Sequence, residues 1–232
     1  MKHSVAAVFA ILFLSVALSG FAAGRYCWES AGTVDGCELF TSAMAGRPYI
    51  AAKAVCILPA GADVLGVVLK DIAAYPQWMH DCTQTKVLKV VDDENDVLIF
   101  WFRQHIALFS DRDMVLKSKT KSVPEKGQYF VHADSTEELA YNAGKGYVRM
   151  PSFHSLFILE WIDRNTTRVT LMIDPDLGEG VPSGPANKTI RITPLKTLKK
   201  MEGMAKQKKY LDAAKTSKYA KLVEQFAGAK SR

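Results

Sequence analysis

At 232 residues, with 48% hydrophobic and 23% charged side chains, the chain is long enough to bury a sizeable core. Its formal net charge of +6 is unevenly placed: positions 188–232 hold thirteen Lys or Arg against three acids, a local +10, so the rest carries −4. The basic average therefore describes one end, which excludes reading the whole protein as a cationic binding surface.

Lys2 and His3 precede an apolar run over 5–18, and small residues (Ser19, Gly20, Ala22, Ala23, Gly24) follow before Arg25. The run is shorter than the ~20 residues of a membrane span and ends like a cleavage site. Residues 1–24 are thus expected to be a secretory signal peptide, with an uncleaved anchor as the alternative, and the mature protein to be secreted or periplasmic. Cys27, Cys37, Cys56 and Cys82 then permit two disulfides in any of three connectivities, and no Cys-x-x-Cys pair suggests a metal.

Further on, 38–43 and 49–58 read as a hairpin about Gly46-Arg47-Pro48, 63–72 as a short helix, and Tyr75-Pro76-Gln77-Trp78-Met79 as an aromatic corner. His80-Asp81-Cys82 reads as a polar turn. Strands at 86–91 and 97–102 flank the acidic turn 92–96, expected to be a solvated tip. Val97-Leu98-Ile99-Phe100-Trp101-Phe102 is apolar on both faces, which implies cover on the second face or an exposed patch. In the strand 112–119, Met114, Leu116 and Ser118 share one face and Val115, Lys117 and Lys119 the other. Arg112 and Asp113 are expected to form structural pairing at the sheet rim.

Two more strands, 128–134 and 145–150, are joined by a polar connection at 135–144, either a surface loop or a lid. The apolar segment 148–159 and the β-branched segment 167–173 form a further strand pair, which Asp174-Pro175 is expected to end. Past Pro182 and Ser183, Ile190, Leu195, Leu198, Met201, Met204 and Ala205 recur at roughly helical spacing, and Pro194 is expected to kink or delay that helix. A long helix that follows a sheet and must bury one stripe lies most simply across it. Residues 207–232 form a basic C-terminal tail with helical pieces near 210–214 and 219–226.

Motifs of catalysis are sparse: there is no Gly-x-Ser-x-Gly elbow, phosphate loop or His-Glu-x-x-His, so no cofactor or metal is expected. His154 is the best candidate acid or base, a wall histidine being the plainer reading. Asn165 and Asn187 open glycosylation patterns. Nucleic acid is not an expected partner, since no stacking-aromatic platform accompanies the basic end.

The run Gly146-Tyr147-Val148-Arg149-Met150, the strand pair after it, the segment from Asp174 to Pro182 and Asn187 before a helix resemble the closing half of the steroidogenic-acute-regulatory-related lipid transfer (START) family. Ser110-Asp111-Arg112-Asp113-Met114-Val115 is similar to that family's Arg-Asp-aromatic-Val segment. The resemblance spans about 49–204 and implies an α+β helix-grip fold over 25–206, a curved antiparallel sheet wrapped on a long C-terminal helix with a lipid cavity between them. Some members bury an acid–arginine pair in that cavity. The matching positions here are Phe102 and Ser118, so a drier interior is expected.

From strand parity and the resemblance, Phe100, Phe102, Met114, Leu116 and Ser118, with Phe157 and Met172, are the expected ligand-binding wall. Lys199, Lys200, Lys208 and Lys209 are the expected contacts to a transient membrane surface. The lid is sought at 174–180, at 106–110 or in the long helix. A carrier of a lipid or other hydrophobic molecule is the expected function. The alternatives are a helix-grip cyclase or hydrolase of a hydrophobic substrate, and a non-enzymatic sensor or interaction protein.

Overall fold

The computed structural model describes residues 25–142 and 144–230, so the expected signal peptide lies outside the described residues. Ten strands form one curved sheet: β1 (Glu29–Val34), β2 (Cys37–Ser42), β3 (Ala51–Leu58), β4 (Cys82–Asp92), β5 (Val97–Gln104), β6 (Asp111–Val123), β7 (Gln128–Ser135), β8 (Tyr147–Arg149), β9 (Ser152–Asp163) and β10 (Thr166–Asp176). Their order is β1-β2-β3-β10-β9-β7-β6-β5-β4, all neighbours antiparallel. The short β8 adds parallel to the first residues of β6. Helices α1 (Ala62–Lys70), α2 (Tyr75–Trp78), α3 (Ser183–Ala205), α4 (Lys208–Lys215) and α5 (Lys218–Lys230) complete the chain.

The long helix is α3, and every residue of its expected apolar stripe is buried, from Ile190 to Ala205. It runs unbroken through Pro194, which is itself buried. The Thr193 hydroxyl donates to the Thr189 carbonyl one turn back (2.9 Å). The helix packs chiefly on β3, with β10 and β2 beside it, leaving β5, β6, β7 and β9 to arch away from it.

Two strand boundaries differ from expectation. β10 continues through Asp174-Pro175 to Asp176, because its pairing with β3 stops at Ile173 while that with β9 continues. On the side without a partner strand, a proline that lacks an N–H loses nothing. Pro151 separates β8 from β9 within the segment expected to be one strand. β1, short and polar, had no periodic signal.

The double-sided β5 is covered twice. Phe100 and Phe102 face the main core, while Ile99 and Trp101 join Val115 in a second cluster covered by Leu88, Leu139 and Tyr141. The polar connection thus lies on the outer face of the sheet. Trp101 Nε1 donates to Asp113 Oδ2 (2.8 Å), and Arg149 forks onto both Asp113 oxygens (2.9 and 2.8 Å). Asp113 therefore has a structural partner in Arg149, across β6 and β8.

One disulfide, Cys37–Cys56, links β2 to β3. Cys27 is exposed and free, and Cys82 is buried and free, so the described residues hold one bridge where two were permitted. Burial pushes the Cys82 thiol up to about 12, which keeps it protonated and unreactive.

The basic end is docked rather than loose. Tyr210, Ala214, Tyr219, Val223 and Phe226 join the main core, against α1 and the turn at 124–126. Gly66 on α1 permits this approach, since a Cβ there would meet the Tyr219 ring at 2.7 Å. The acidic tip is only partly solvated, because Asp96 turns inward. It meets Tyr219 (2.7 Å), Tyr129 (3.1 Å), Lys218 (2.7 Å) and Lys70 (3.1 Å).

Burial alone would raise the Asp96 carboxyl, but hydrogen bonds from Lys218, Tyr219 and Lys70 outweigh it and hold it below its usual range. A depressed carboxylate stabilises the fold fully above its unfolded value of ~3.9 and loses that contribution as pH falls through the folded value. We predict that Asp96→Asn costs about 3 kcal/mol at pH 7 in urea unfolding. The gap from the native protein should narrow toward pH 3; a gap independent of pH would refute the assignment.

Candidate ligand cavity

Between α3 and the arched half of the sheet lies a cavity of about 460 Å³, within the ~300–1,000 Å³ of small-molecule sites. Its origin can be read in the cross-strand register. Ser118 pairs with Ala133, Ala133 with Ser155 and Ser155 with Ile173, a row across β6, β7, β9 and β10 in which three of four side chains are small. The next row, Val131-Phe157-Leu171, is bulky, and so is the Phe153-Pro175 pair on the other side. All of these face the hollow. Small residues between large ones make a trough where a rigid helix cannot follow.

Phe100, Phe102 and Leu116 form the adjoining wall from β5 and β6. Tyr75 meets Phe100 edge-on (6.0 Å), and the fully buried Trp78 meets both Tyr75 (5.0 Å) and Phe157 (6.2 Å). These aromatics fix the wall by edge-to-face packing. The expected residues Phe100, Phe102, Leu116, Ser118 and Phe157 thus come together on one surface.

Two expected wall residues do not. Met114 is buried in the same core but outside the cavity lining, since parity gives a residue's face and not how far along the strand a hollow extends. Met172 lies on the opposite face, half-buried opposite Lys53 and Leu156, while Leu171 and Ile173 point inward. In a segment apolar at successive positions a one-residue slip reverses the faces. His154 is also on the outer face, with Nδ1 2.9 Å from Asp134 Oδ1, so it is not a wall histidine.

The opening lies where the 105–109 connection faces α3. Leu108 stands at the rim, 98% exposed and at φ 69°, a left-handed conformation costly for a branched residue. His80 and Asp81 pair across 3.3 Å, and the His105 amide donates to the Asp81 carbonyl (2.8 Å). The charged lining residues, Asp81 and Lys196, both belong to this rim. No charge sits at position 102 or 118.

Beside the opening, buried Arg112 donates to the carbonyls of Ser110 (2.6 Å), Leu177 (2.9 Å) and Glu179 (2.8 Å). Tyr49 Oη lies 2.7 and 3.0 Å from the Gly178 and Val181 carbonyls. Asn187 receives the Ile50 amide (3.1 Å) and donates to Pro48 (3.0 Å), so its amide is a structural tether. Asp174, fully buried, is met by Arg25 (3.2 Å), Tyr26 (2.9 Å) and Arg47. The 174–180 turn, one of the expected lids, is therefore pinned from three sides.

The four expected membrane lysines do not act together. Lys199 donates to the Asp35 carbonyl (2.9 Å), Lys208 pairs with Asp212 and Lys209 with Asp71 (2.6 Å), leaving Lys200 without an ion pair among the described residues. Sequence reasoning missed Ser155 and Ala133, whose small size was the available signal.

A bulky residue tests the hollow directly. Leu116→Trp should displace ligand from the cavity while changing stability by less than about 1 kcal/mol, because it fills space. In a solidly packed interior the same change would cost ~1–3 kcal/mol. Thermal unfolding of purified protein, read beside its extractable lipid, checks both halves.

The sequence model of the START domain matches residues 34–209. An uncharacterised protein of Pseudomonas aeruginosa is 26% identical over 189 residues, covering 78% of this chain and 88% of that one. The crystal structure of a STAR-related lipid transfer protein fragment from Xanthomonas axonopodis is 26% identical with a TM-score of 0.68, covering 78% of this chain and 99% of the other. Human StAR-related lipid transfer protein 5 shares the fold at 16% identity and a TM-score of 0.67, over 78% and 86% of the two chains. With the helix-grip architecture and the matched span in agreement, the chain belongs to the START domain family.

Proposed function

We propose that this protein binds a lipid or similar hydrophobic molecule in the cavity beneath α3 and carries it between membranes or proteins. The observation that carries the reading is the apolar cavity of about 460 Å³ beneath α3, with its charges confined to the rim. Moving a sixteen-carbon chain through water exposes it at ~0.8 kcal/mol per methylene, or ~13 kcal/mol. A dry cavity avoids most of that cost, and because the bilayer interior is also apolar, exchange between the two is near neutral and reversible. The START domain match and the similar lipid transfer protein of Xanthomonas support binding of this kind.

Catalysis is the weaker reading. Below the rim the wall offers one titratable side chain, Tyr75, whose hydroxyl already donates to the Leu69 carbonyl (2.7 Å) and whose burial raises its pKa. The Cys37–Cys56 disulfide supports an oxidising compartment, in keeping with a secreted or periplasmic protein.

Of the three candidate lids, the 106–110 connection fits best. The 174–180 turn is pinned, and α3 is sewn into the core, whereas Leu108 projects fully into solvent. In this reading Leu108 enters the bilayer and the connection swings as it does so. Burying a leucine contributes about 1.5–3 kcal/mol. Leu108→Asp should therefore slow transfer between vesicles about tenfold or more while leaving affinity for a soluble fatty probe unchanged; equal loss of both would remove the connection from the transfer step.

Native mass spectrometry of the protein purified from its own host tests the carrier reading itself. A bound lipid is the expected result. A chemically altered small molecule would favour the enzyme, and an empty cavity with a copurifying protein the interaction protein.

A further inference from the structure

We propose that the ligand is an amphiphile with an anionic head, carboxylate or phosphate, held at the rim by Lys196 while its chain runs inward. The proposal rests on the lipid-binding reading and specifies it.

The argument starts from which rim charges are already engaged. Asp81 pairs with His80 (3.3 Å), and His105 pairs with Asp111 (2.9 Å). The Lys196 side chain has no ion pair or hydrogen bond among the described residues, although it lines the cavity. Lys200, one turn further along the same face of α3, is likewise unpaired there.

Both lysines act on His80. Burial lowers this imidazole's pKa, Asp81 opposes the shift, and Lys196 and Lys200 add to it, so the positive potential reaches the rim. Thr193 and Thr197 flank Lys196 on the lining. The Thr193 hydroxyl donates to the Thr189 carbonyl and the Thr197 oxygen accepts the His80 amide, so these neighbours give Lys196 no acidic partner, and its ammonium is the rim cation left unpaired among the described residues.

An amphiphile whose chain occupies the trough brings its head to this rim, since the wall below offers no charge. A negative head gains attraction from Lys196 that a neutral one lacks, and a cationic head is repelled. Because Lys196 is exposed, the preference should be modest, about fivefold.

The test measures displacement of a fluorescent fatty probe from the full protein by hexadecanoate, hexadecyl phosphate, hexadecanol and hexadecyltrimethylammonium, each below its micelle threshold. Native protein should prefer at least one anion about fivefold over the alcohol and bind the cation worst. Lys196→Gln should abolish that preference with affinity for the alcohol unchanged, and Lys196→Glu should favour the cation. Circular dichroism confirms that these surface variants fold. Equal affinity for anions and alcohol in the native protein, or a preference that survives both substitutions, overturns the proposal while leaving lipid binding intact. If none of the four binds, the lipid-binding reading itself falls, and this one with it.

Discussion

A rigid rod and a curved sheet cannot touch everywhere, and the architecture follows from that mismatch. The 23 residues of α3 make a rod of about 35 Å. It leans on β3 and its neighbours, where Ala52 and Ala54 allow close approach, and its fully buried Leu198 and Met201 lock it there. The other half of the sheet bends away through its natural twist. What lies between is filled or empty according to side-chain size, and the Ser118-Ala133-Ser155 row leaves it empty.

An empty space beneath a helix invites collapse, so the polar contacts around it have a structural role. Arg112 ties one strand end to two separate stretches of chain through backbone carbonyls, which supply fixed dipoles without adding a second charge. Tyr49 and Asn187 hold the segment entering α3 against the β2–β3 hairpin, whose strands the Cys37–Cys56 bridge joins. The rim is stiff on that side. Across the opening, the 105–109 connection rests on a few backbone hydrogen bonds and carries a leucine in a left-handed conformation. Mobility at an opening belongs where local stability is least.

The parts legible in the sequence were those set by local period. Leu116 and Ser118 could be placed inward because Lys117 and Lys119 mark the outward face of β6. In β10 no such marker exists between Val169 and Ile173 except Thr170, which is itself buried, and the face of Met172 was read wrongly. The partners of Asp113 and Arg112 lie 36 and 65 residues away, beyond any local pattern. Asp96 looked like one more acid in a solvated turn, and only the folded chain brings two tyrosines and two lysines to it. Cavity size was equally out of reach, because it depends on three small residues from three strands meeting in one row.

Charge distribution ties the basic end to the rest of the molecule. The body of the chain is acidic and the end basic, and the two meet where Asp71 and Asp96 face Lys209 and Lys218 of α4 and α5. A polybasic segment free to seek an anionic surface would keep its lysines unpaired; here much of that charge is spent inside the fold, alongside buried Tyr210, Tyr219 and Phe226. Docking of α4 and α5 therefore depends on electrostatic complementarity as well as apolar burial. An ion pair already made has little attraction left for a ligand or a membrane, so the paired Lys208 and Lys209 are poorer candidates for either than the unpaired Lys196 and Lys200.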